Sequence, residues 1–586
     1  MKDDDTRIKF DSEEELIDYY CSKPHPKAFT PSIVIVMLLC SLVGGIIGME
    51  LIVKFGLSTN SSIIGALIAV IVGMLPMKFA RKFRNIHTQN LVETAISCAT
   101  FGAGNVLMVC VSIIWVFNKP EMCTGILIGG VIAFVVDITM MYWLFDTPLM
   151  GADEAWPIGI ATAETILAAA EMGKKAKLLI GGIAGGIIGT WLGLPMDIIG
   201  VCGLGNIFAL TAFCIGLIMN GYWPTWFGYS LGDYYVPQGV MVGAGMVGLI
   251  QAIILIVRKY KGRSKTETPK EELKTADSTF IEPEESELTV EQENELLGEK
   301  DEKTGHIYTR TTKQMTQTFV RGIILYIIGA VIMALIGGIA AEMSEGMLVV
   351  WVIYAMAAAL ISEILVGISA MHSGYFPAMA TVIIFLVFGI FIGFPPHALA
   401  FLAGYTACTG PAFADMGYDL KAGWILRGRG RHVKFELEGR RQQYYAELFG
   451  AAVAVVLVFI FYRSYFLAGR IPPVASVYKA TIDAGVNGTV LRQILLFAIV
   501  GAVLQLISGL KRQIGILFAA GLLITNPIAG VAGLIFLTFR YFIEKKFGDE
   551  GRKNLNVVSA GLIAGAALFS FCTNTFKLVS TNSKKG

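Results

Sequence analysis

The sequence predicts an all-α polytopic membrane protein, with about 14–16 membrane-embedded helices in two halves and broken or re-entrant half-helices among them. Three observations predict it. Over 586 residues the chain is 55% hydrophobic and only 16% charged, with a mean hydropathy of +0.64, well beyond a soluble domain. The apolar residues fall in separate runs of about 17–25 residues rather than alternating segments of about ten, which selects a helical bundle over an outer-membrane barrel. The 65 glycines suit close helix packing, where small residues replace the missing hydrophobic drive between helices.

Residues 1–30 form a charged tail without the short apolar core and small-residue cleavage site of a signal peptide. Spans follow at about 31–54 and 59–78, and the basic cluster Lys78, Arg81, Lys82 and Arg84 then marks a cytoplasmic loop and a cytoplasmic N-terminus. The next span carries Asn90, Glu93, Thr94 and Ser97 in its first half, polar residues expected to face the bundle interior. A span at about 124–145 contains Asp137.

The stretch Gly151–Lys175 is too polar and too short for an ordinary span. Pro157 suits the first position of a helix, and Asp153 and Glu154 suit the positive end of its dipole. From Trp156 to Ala170 is roughly 14 residues, so the segment is expected to enter the membrane partway, as transporter half-helices do. Small residues, among them Gly159 and Thr162, surround Glu164, whose carboxylate at membrane depth needs a partner or water. The competing reading is a surface amphipathic helix in which Glu171 pairs with Lys174 or Lys175.

Lys174, Lys175 and Lys177 return the chain to the cytoplasm. Runs at about 178–196 and 203–220 lead into an aromatic stretch that carries Asp233 and restarts as a helix at Pro237. That helix should end inside at Arg258 and Lys259, but counting spans puts its end outside. Either one segment between Ile180 and Gln238 is miscounted or residues 222–236 fold back through the membrane.

Residues 258–318 are acidic and poor in aromatics, and are expected to be a flexible cytoplasmic connector between membrane halves 31–257 and 319–575, ahead of a short tail at 576–586. In the second half, spans at about 319–341, 346–367 and 374–394 precede a broken region with Pro395, Pro396 and Pro411. Further spans are expected at about 443–463, 490–509, 513–541 with a break at Asn526 and Pro527, and 556–573. The first spans of the two halves are faintly alike: SLVGGIIGMEL ends in Glu50, and ALIGGIAAEM contains Glu342 one residue out of step.

Residues 409–428 place Asp415, Asp419 and Lys421 between apolar spans. On a helix, Asp415 and Asp419 would share a face, and adjacent carboxylates suit a proton carrier. The same residues read equally as a solvated loop beside Arg427, Arg429, Arg431 and Lys434. Glu50, Asp137, Glu363 and Glu447 read equally as structural or functional acids.

Four stretches resemble the oligopeptide transporter (OPT) family, which includes the yellow stripe-like metal-chelate transporters. PIGIATAETI from Pro157 resembles P-x-G-T-A-T-A-E, departing at Ile160, and NLVETAIS from Asn90 resembles N-x-V-Q-T, departing at Glu93. VPQGVMVGAGM, with Gly239 and Val240, is similar to the family's P-G-V-M-x-G helix start. FADMGYDLKAGWILRG with RRQQYYAELFG is similar to G-D-x-x-x-D-L-K-x-G followed by R-Q-Q, with Ala414 in place of the first glycine. The resemblance covers nearly the whole membrane region and implies secondary active uptake of peptides or peptide-like metal chelates, generally coupled to protons.

The reading is therefore a proton-coupled symporter of oligopeptides in an inner or plasma membrane. Its alternatives are transport of siderophore- or nicotianamine-like chelates, or a passive channel separable by uphill accumulation. The expected substrate and proton path comprises Asn90, Glu93, Gly159, Thr162, Glu164, Asp233, Gly239 with Val240, Asp415, Asp419 and Lys421. The expected partners are a peptide-like substrate, protons and the lipid bilayer, with a homo-oligomer allowed and no nucleic acid. An enzyme is not expected: there is no GxxxxGK[ST] loop or HExxH helix, and His372 and His397 stand alone. Nor is a cofactor or a metal site, since the nine cysteines form no CxxC pair.

Overall fold

A computed structural model describes residues 13–56, 65–66, 68–69, 82–167, 173–263, 306–374 and 376–583. Most of the expected span at 59–78, Lys78, Arg81 and Glu171, the connector from 264 to 305, and the chain ends at 1–12 and 584–586 lie outside the described residues. Every regular element described is helical; the sole β feature is a single bridge between Phe145 and Met150. Eleven of the described helices are long and apolar enough to cross a membrane.

Helix α1 (Glu13–Cys21) lies ahead of α2 (Pro31–Phe55), which Pro31 opens and Gly56, at φ 60°, closes in the left-handed region. Helix α3 (Ile86–Trp115) starts where the Asn85 side chain accepts from the His87 and Thr88 amides, at 2.8 and 3.3 Å. It widens into a π segment at Gly102–Met108 and is the most enclosed span, with 94% of its apolar window inside the protein. Helix α4 (Cys123–Leu144) returns the chain to the face that carries α1, where Asp146 and Trp156 turn it with φ of 65° and 38°.

The half-helix after Pro157 is α5 (Pro157–Leu167), 11 residues long. Then come α6 (Gly173–Trp191), α7 (Met196–Leu204), α8 (Ile207–Phe227) and α9 (Val236–Arg263). Here the expected boundaries change. The second run begins at Ile207 because Asn206 caps it, and the nine residues of α7 are a separate short helix. Residues 222–236 do not fold back: Tyr222–Phe227 complete α8, Gly228 ends it at φ 81°, and a 3₁₀ turn at Leu231–Tyr234 leads into α9.

The second half opens with α10 (Thr312–Ile336), seven residues ahead of the expected start, because Thr311 and Gln314 form a capping box. It is followed by α11 (Glu345–Ser373), α12 (Ala378–Ile392), α13 (Pro396–Ala407), α14 (Pro411–Leu426), α15 (Val433–Leu467), α16 (Val474–Val486), α17 (Gly488–Arg512) and α18 (Ile514–Leu522). The last long helical run breaks at Gly548, φ 58°, into α19 (Pro527–Gly548) and α20 (Glu550–Thr573). Helix α16 was not expected; its prolines at 472 and 473 and its polar residues hide it from a hydropathy reading.

Helices α13 and α14 together form one discontinuous span. His397 in α13 meets Glu342, beyond the far end of α10, at 2.8 Å, whereas the last residue of α14 meets Cys21 of α1. The break falls at Cys408–Gly410, where Gly410 has φ 98°. Its exposed amides are met by Asp137 of α4, which accepts from Gly410 N at 2.9 and 3.0 Å and from Phe413 N at 2.7 Å. Helix α15, at 35 residues and about 52 Å, outreaches the hydrocarbon and carries its charged first turns beyond it. Helices α2, α4, α14 and α15 surround α3.

Elsewhere, α6 and α20 approach along small residues. A Cβ on Gly182 or Gly186 would collide with the Val558 or Leu562 carbonyl, and one on Gly561 or Gly565 with those of Leu179 or Ile183. The faint repeat pairs unlike settings: Glu50 is buried against Tyr465 and Arg470 inside α2, while Glu342 sits in a 3₁₀ turn beside His397.

Candidate functional site

Residues three and four apart on α3 put Asn90, Glu93, Thr94 and Ser97 on one face. That face meets α14, where Asp415 and Asp419 lie one turn apart, and α15, where Gln443 and Glu447 do the same. Glu93, Asp419 and Glu447 are fully buried and Asp415 is 2% exposed. Carboxylate oxygens of Asp415, Asp419 and Glu447 lie within 4.8 Å of one another, and the carboxyl of Glu93 adjoins that of Asp419.

Few donors serve this cluster. Ser97 Oγ donates to Asp415 Oδ1 at 2.9 Å, and Asn90 Nδ2 donates to Glu93 Oε2 at 3.3 Å. Among the described residues, no N–H or O–H donor reaches either carboxylate oxygen of Asp419 or of Glu447. The nearby cations are engaged elsewhere. Lys421 donates to the Ala152 and Glu154 carbonyls at 2.7 and 2.8 Å, holding the loop that leads into α5. Arg427 donates to Glu436 at 2.7 and 3.1 Å and to Gln443 Oε1 at 2.6 Å. Four carboxyls thus share a buried space; like charges this close are costly to ionise together, and burial adds to the cost.

A polar chain runs from the cluster to the α1 face. Gln443 Nε2 donates to the Asp419 backbone oxygen at 2.7 Å and to Thr94 Oγ1 at 3.2 Å. Beyond Gln443, Arg427 and Arg440 share Glu436, and Arg440 reaches Asp146 at 3.6 Å and Thr309 Oγ1 at 2.9 Å. Asp146 ends the chain, accepting from Thr309 N and Oγ1 at 3.1 and 2.6 Å and meeting His306 at 2.7 Å. Burial alone would push the Asp146 carboxyl up, but the His306 hydrogen bond and the Arg440 charge hold it well below the usual carboxylate range. Burial likewise opposes charge on His306, yet the Asp146 hydrogen bond and charge raise its ring above the ordinary histidine value. The connector therefore returns to the membrane through a docked strap at 306–309.

Asp415 also lines a cavity of about 440 Å³. Its walls are mainly apolar, with Asn105 of the π segment, Asn206, Tyr418 and Gln513 among the polar exceptions. Pro411, Pro473 with Val474, and Gln513 with Ile516 bring the N-terminal ends of α14, α16 and α18 to this cavity, and Asn206 brings that of α8. Such ends carry positive dipole, which attracts an anionic group, though Asp137 already meets amides of α14 and the Asn206 side chain those of α8.

The structure thus brings together Asn90, Glu93, Asp415 and Asp419 and leaves the other expected residues elsewhere. Gly159 lets α5 touch α14, since a Cβ there would collide with the Tyr418 carbonyl and Lys421. Thr162 is buried and donates to the Ile158 carbonyl at 3.0 Å, and Ile158, not Thr162, lines the cavity. Glu164 is exposed and outside the cavity lining, and Lys421 faces the loop rather than the cluster. Asp233 accepts from Ser230 N at 3.1 Å in a capping box, Gly239 packs on Ile494 and Phe497, and Val240 is buried beside α17.

Glu447, read from the sequence only as an acid equally structural or functional, and Asn105 were outside the expected path. Glu447 follows Gln443 by four residues, so the motif match at Gln443 already marked its face. Asn105 lies in the glycine-rich run that becomes the π segment, and nothing in its spacing distinguished it. Of the remaining acids, Glu363 accepts from the Tyr326 hydroxyl beside Asp137, and Glu50 accepts from Tyr465 at 2.7 Å and pairs with Lys54 at 3.3 Å.

A family model described as OPT oligopeptide transporter protein matches residues 226–576, more than half of the chain. The match takes in α14 and α15, and with them Asp415, Asp419, Gln443 and Glu447, while α3 and α5 precede it. No curated protein matches the sequence.

Proposed function

Because the chain belongs to the OPT oligopeptide transporter family, we propose that it is a secondary active transporter that takes up short peptides in symport with protons. The observation that carries this reading is the buried group of four carboxyls that reaches the central cavity through Asp415. A peptide has a cationic and an anionic end. Asp415 suits the amine, and the positive N-terminal ends of α16 and α18 suit the carboxylate. The mainly apolar walls accept uncharged side chains, and a cavity of about 440 Å³ suits a small ligand.

In this scheme protons neutralise the carboxyls, and substrate at Asp415 changes how many of them the cluster holds. The α1 face is cytoplasmic, so the polar chain from Gln443 to His306 lines the inner end of the path. A metal chelate is the second reading, from the family resemblance, but a bulky polyanionic chelate would leave its charges against apolar walls.

Proteoliposomes test the proposal with a pool of short peptides and a parallel pool of ferric chelates, with and without an inward proton gradient. Peptides should accumulate above the outside concentration only with the gradient, and Asp415→Asn should abolish accumulation. Gradient-independent equilibration would mean a channel, and uptake of chelates alone would overturn the peptide assignment.

A further inference from the structure

Resting on the reading of the central cavity as a peptide site, we propose that Asn105 is its specificity-determining residue. Its side-chain carboxamide pairs with a backbone amide of the substrate, so that the site selects compounds with a secondary amide bond next to a free amine. The first argument is placement. Phe101, Asn105 and Val109 all line the cavity. Four residues turn an α-helix through about 400°, so on a regular helix Val109 would stand about 80° round from Phe101. The π segment at Gly102–Met108 widens the turn and brings the three residues nearer to one line. Its glycines are clamped on other sides: a Cβ on Gly102 would collide with the Phe134 ring, and one on Gly104 with the Gly48 carbonyl. Helices α4 and α2 thus hold the segment in the register that turns Asn105 to the cavity.

The second argument is the state of its amide. Asn105 is partly exposed, and among the described residues its side chain makes no hydrogen bond. Other polar groups on the wall are committed or closed off. Asn206 accepts from the Phe208 and Ala209 amides at 2.9 and 3.3 Å, Asp415 accepts from Ser97, and the Tyr418 hydroxyl is buried. Gln513 also lines the cavity, at the junction of α17 and α18, but it is the π segment that packs on α14, the helix that carries Asp415. A carboxamide sets an N–H donor beside a C=O acceptor, which is the complement of a secondary amide. At membrane depth such a group takes its partners from water or from a ligand. In a peptide the amine and the first amide carbonyl are bonded to the same Cα. An amine at Asp415 therefore delivers that amide to the adjoining element, where Asn105 stands.

The test is proton-driven uptake into proteoliposomes of radiolabelled trialanine and of its depsipeptide analogue, in which an ester replaces the first amide bond. The ester removes the N–H donor and weakens the carbonyl acceptor while keeping the shape of the chain. Wild type should favour trialanine by about tenfold or more, the worth of a hydrogen bond that the site is built to make. Asn105→Ala and Asn105→Leu should accumulate the two probes equally, while Glu164→Gln, on an exposed position, should keep the wild-type preference. Size-exclusion and thermal unfolding profiles establish that each variant is folded. Equal uptake of both probes by wild type, a preference that survives in the Asn105 variants, or folded Asn105 variants that take up neither probe would each overturn the role of Asn105 and leave peptide transport standing. If folded wild type accumulates neither probe with the gradient, the transport reading falls and this inference falls with it.

Discussion

Arg427 shows at the residue scale how the cluster is kept electrically separate from its surroundings. Fully buried, it spends its donors on Glu436 and Gln443, and Gln443 in turn holds the Asp419 backbone. Replacing it with methionine strands the Glu436 charge with Arg440 as its remaining buried partner, and removing one side of a buried pair costs about 3–5 kcal/mol. Arg427→Met should therefore lower the thermal unfolding temperature sharply, whereas Glu164→Gln should not move it. The contrast between Glu164 and Glu447 also marks how much of the site the sequence reveals. Asp415 and Asp419 were legible because helical spacing places them on one face, and Glu93 because it shares a helix with Asn90 and Ser97. Glu447 looked like any acid in an apolar span, since nothing in one-dimensional spacing says that α15 presents that face to α14. Glu164 attracted attention through small neighbours, but those neighbours serve the contact of α5 with α14.

Two elements carry predictions of their own. The break between α13 and α14 depends on Asp137, whose carboxylate meets the Gly410 and Phe413 amides. Asp137→Ala leaves both amides buried and unpaired, at about 1–3 kcal/mol each, so thermal stability should fall, and Asp137→Asn should recover part of it. The strap at 306–309 is held by Asp146 and His306 and should respond to pH. The depressed Asp146 group contributes docking stability above the ordinary carboxylate value of about 3.9, lost only as pH falls through its lower native value. The raised His306 group contributes fully below about 6.5 and loses its contribution as pH rises through its higher native value. Amide exchange at 306–311, corrected for intrinsic rate, should therefore be slower near pH 6 than near pH 9, and His306→Phe should remove the difference. Long spans such as α2, α4 and α11 were legible from hydropathy alone. The short helices α7 and α16 were not, because nine to thirteen residues between prolines and glycines fall below any span-length window, whereas the break at Asn526 and Pro527 already set α18 apart from α19.

Across the whole molecule, the polytopic helical architecture follows from composition, and small residues set how tightly the helices close. Gly186→Leu would drive a side chain into the Leu562 carbonyl and should part α6 from α20, seen as loss of a monodisperse peak in detergent. The two halves also meet at the buried carboxyls. Helix α3 from the first half and α14 and α15 from the second close on the four carboxyls, while half-helices from both halves line the adjoining cavity. The sequence could not assemble that meeting point, because each half supplies only part of it.

The central claim is that this meeting point couples ion movement to peptide movement. The most direct measurement traps a pH-sensitive dye inside proteoliposomes and adds peptide outside, comparing wild type with Asp419→Asn. Wild type should acidify the lumen on peptide addition, and the variant should still exchange labelled peptide while moving no protons. Peptide-driven acidification of equal size in Asp419→Asn would contradict the account.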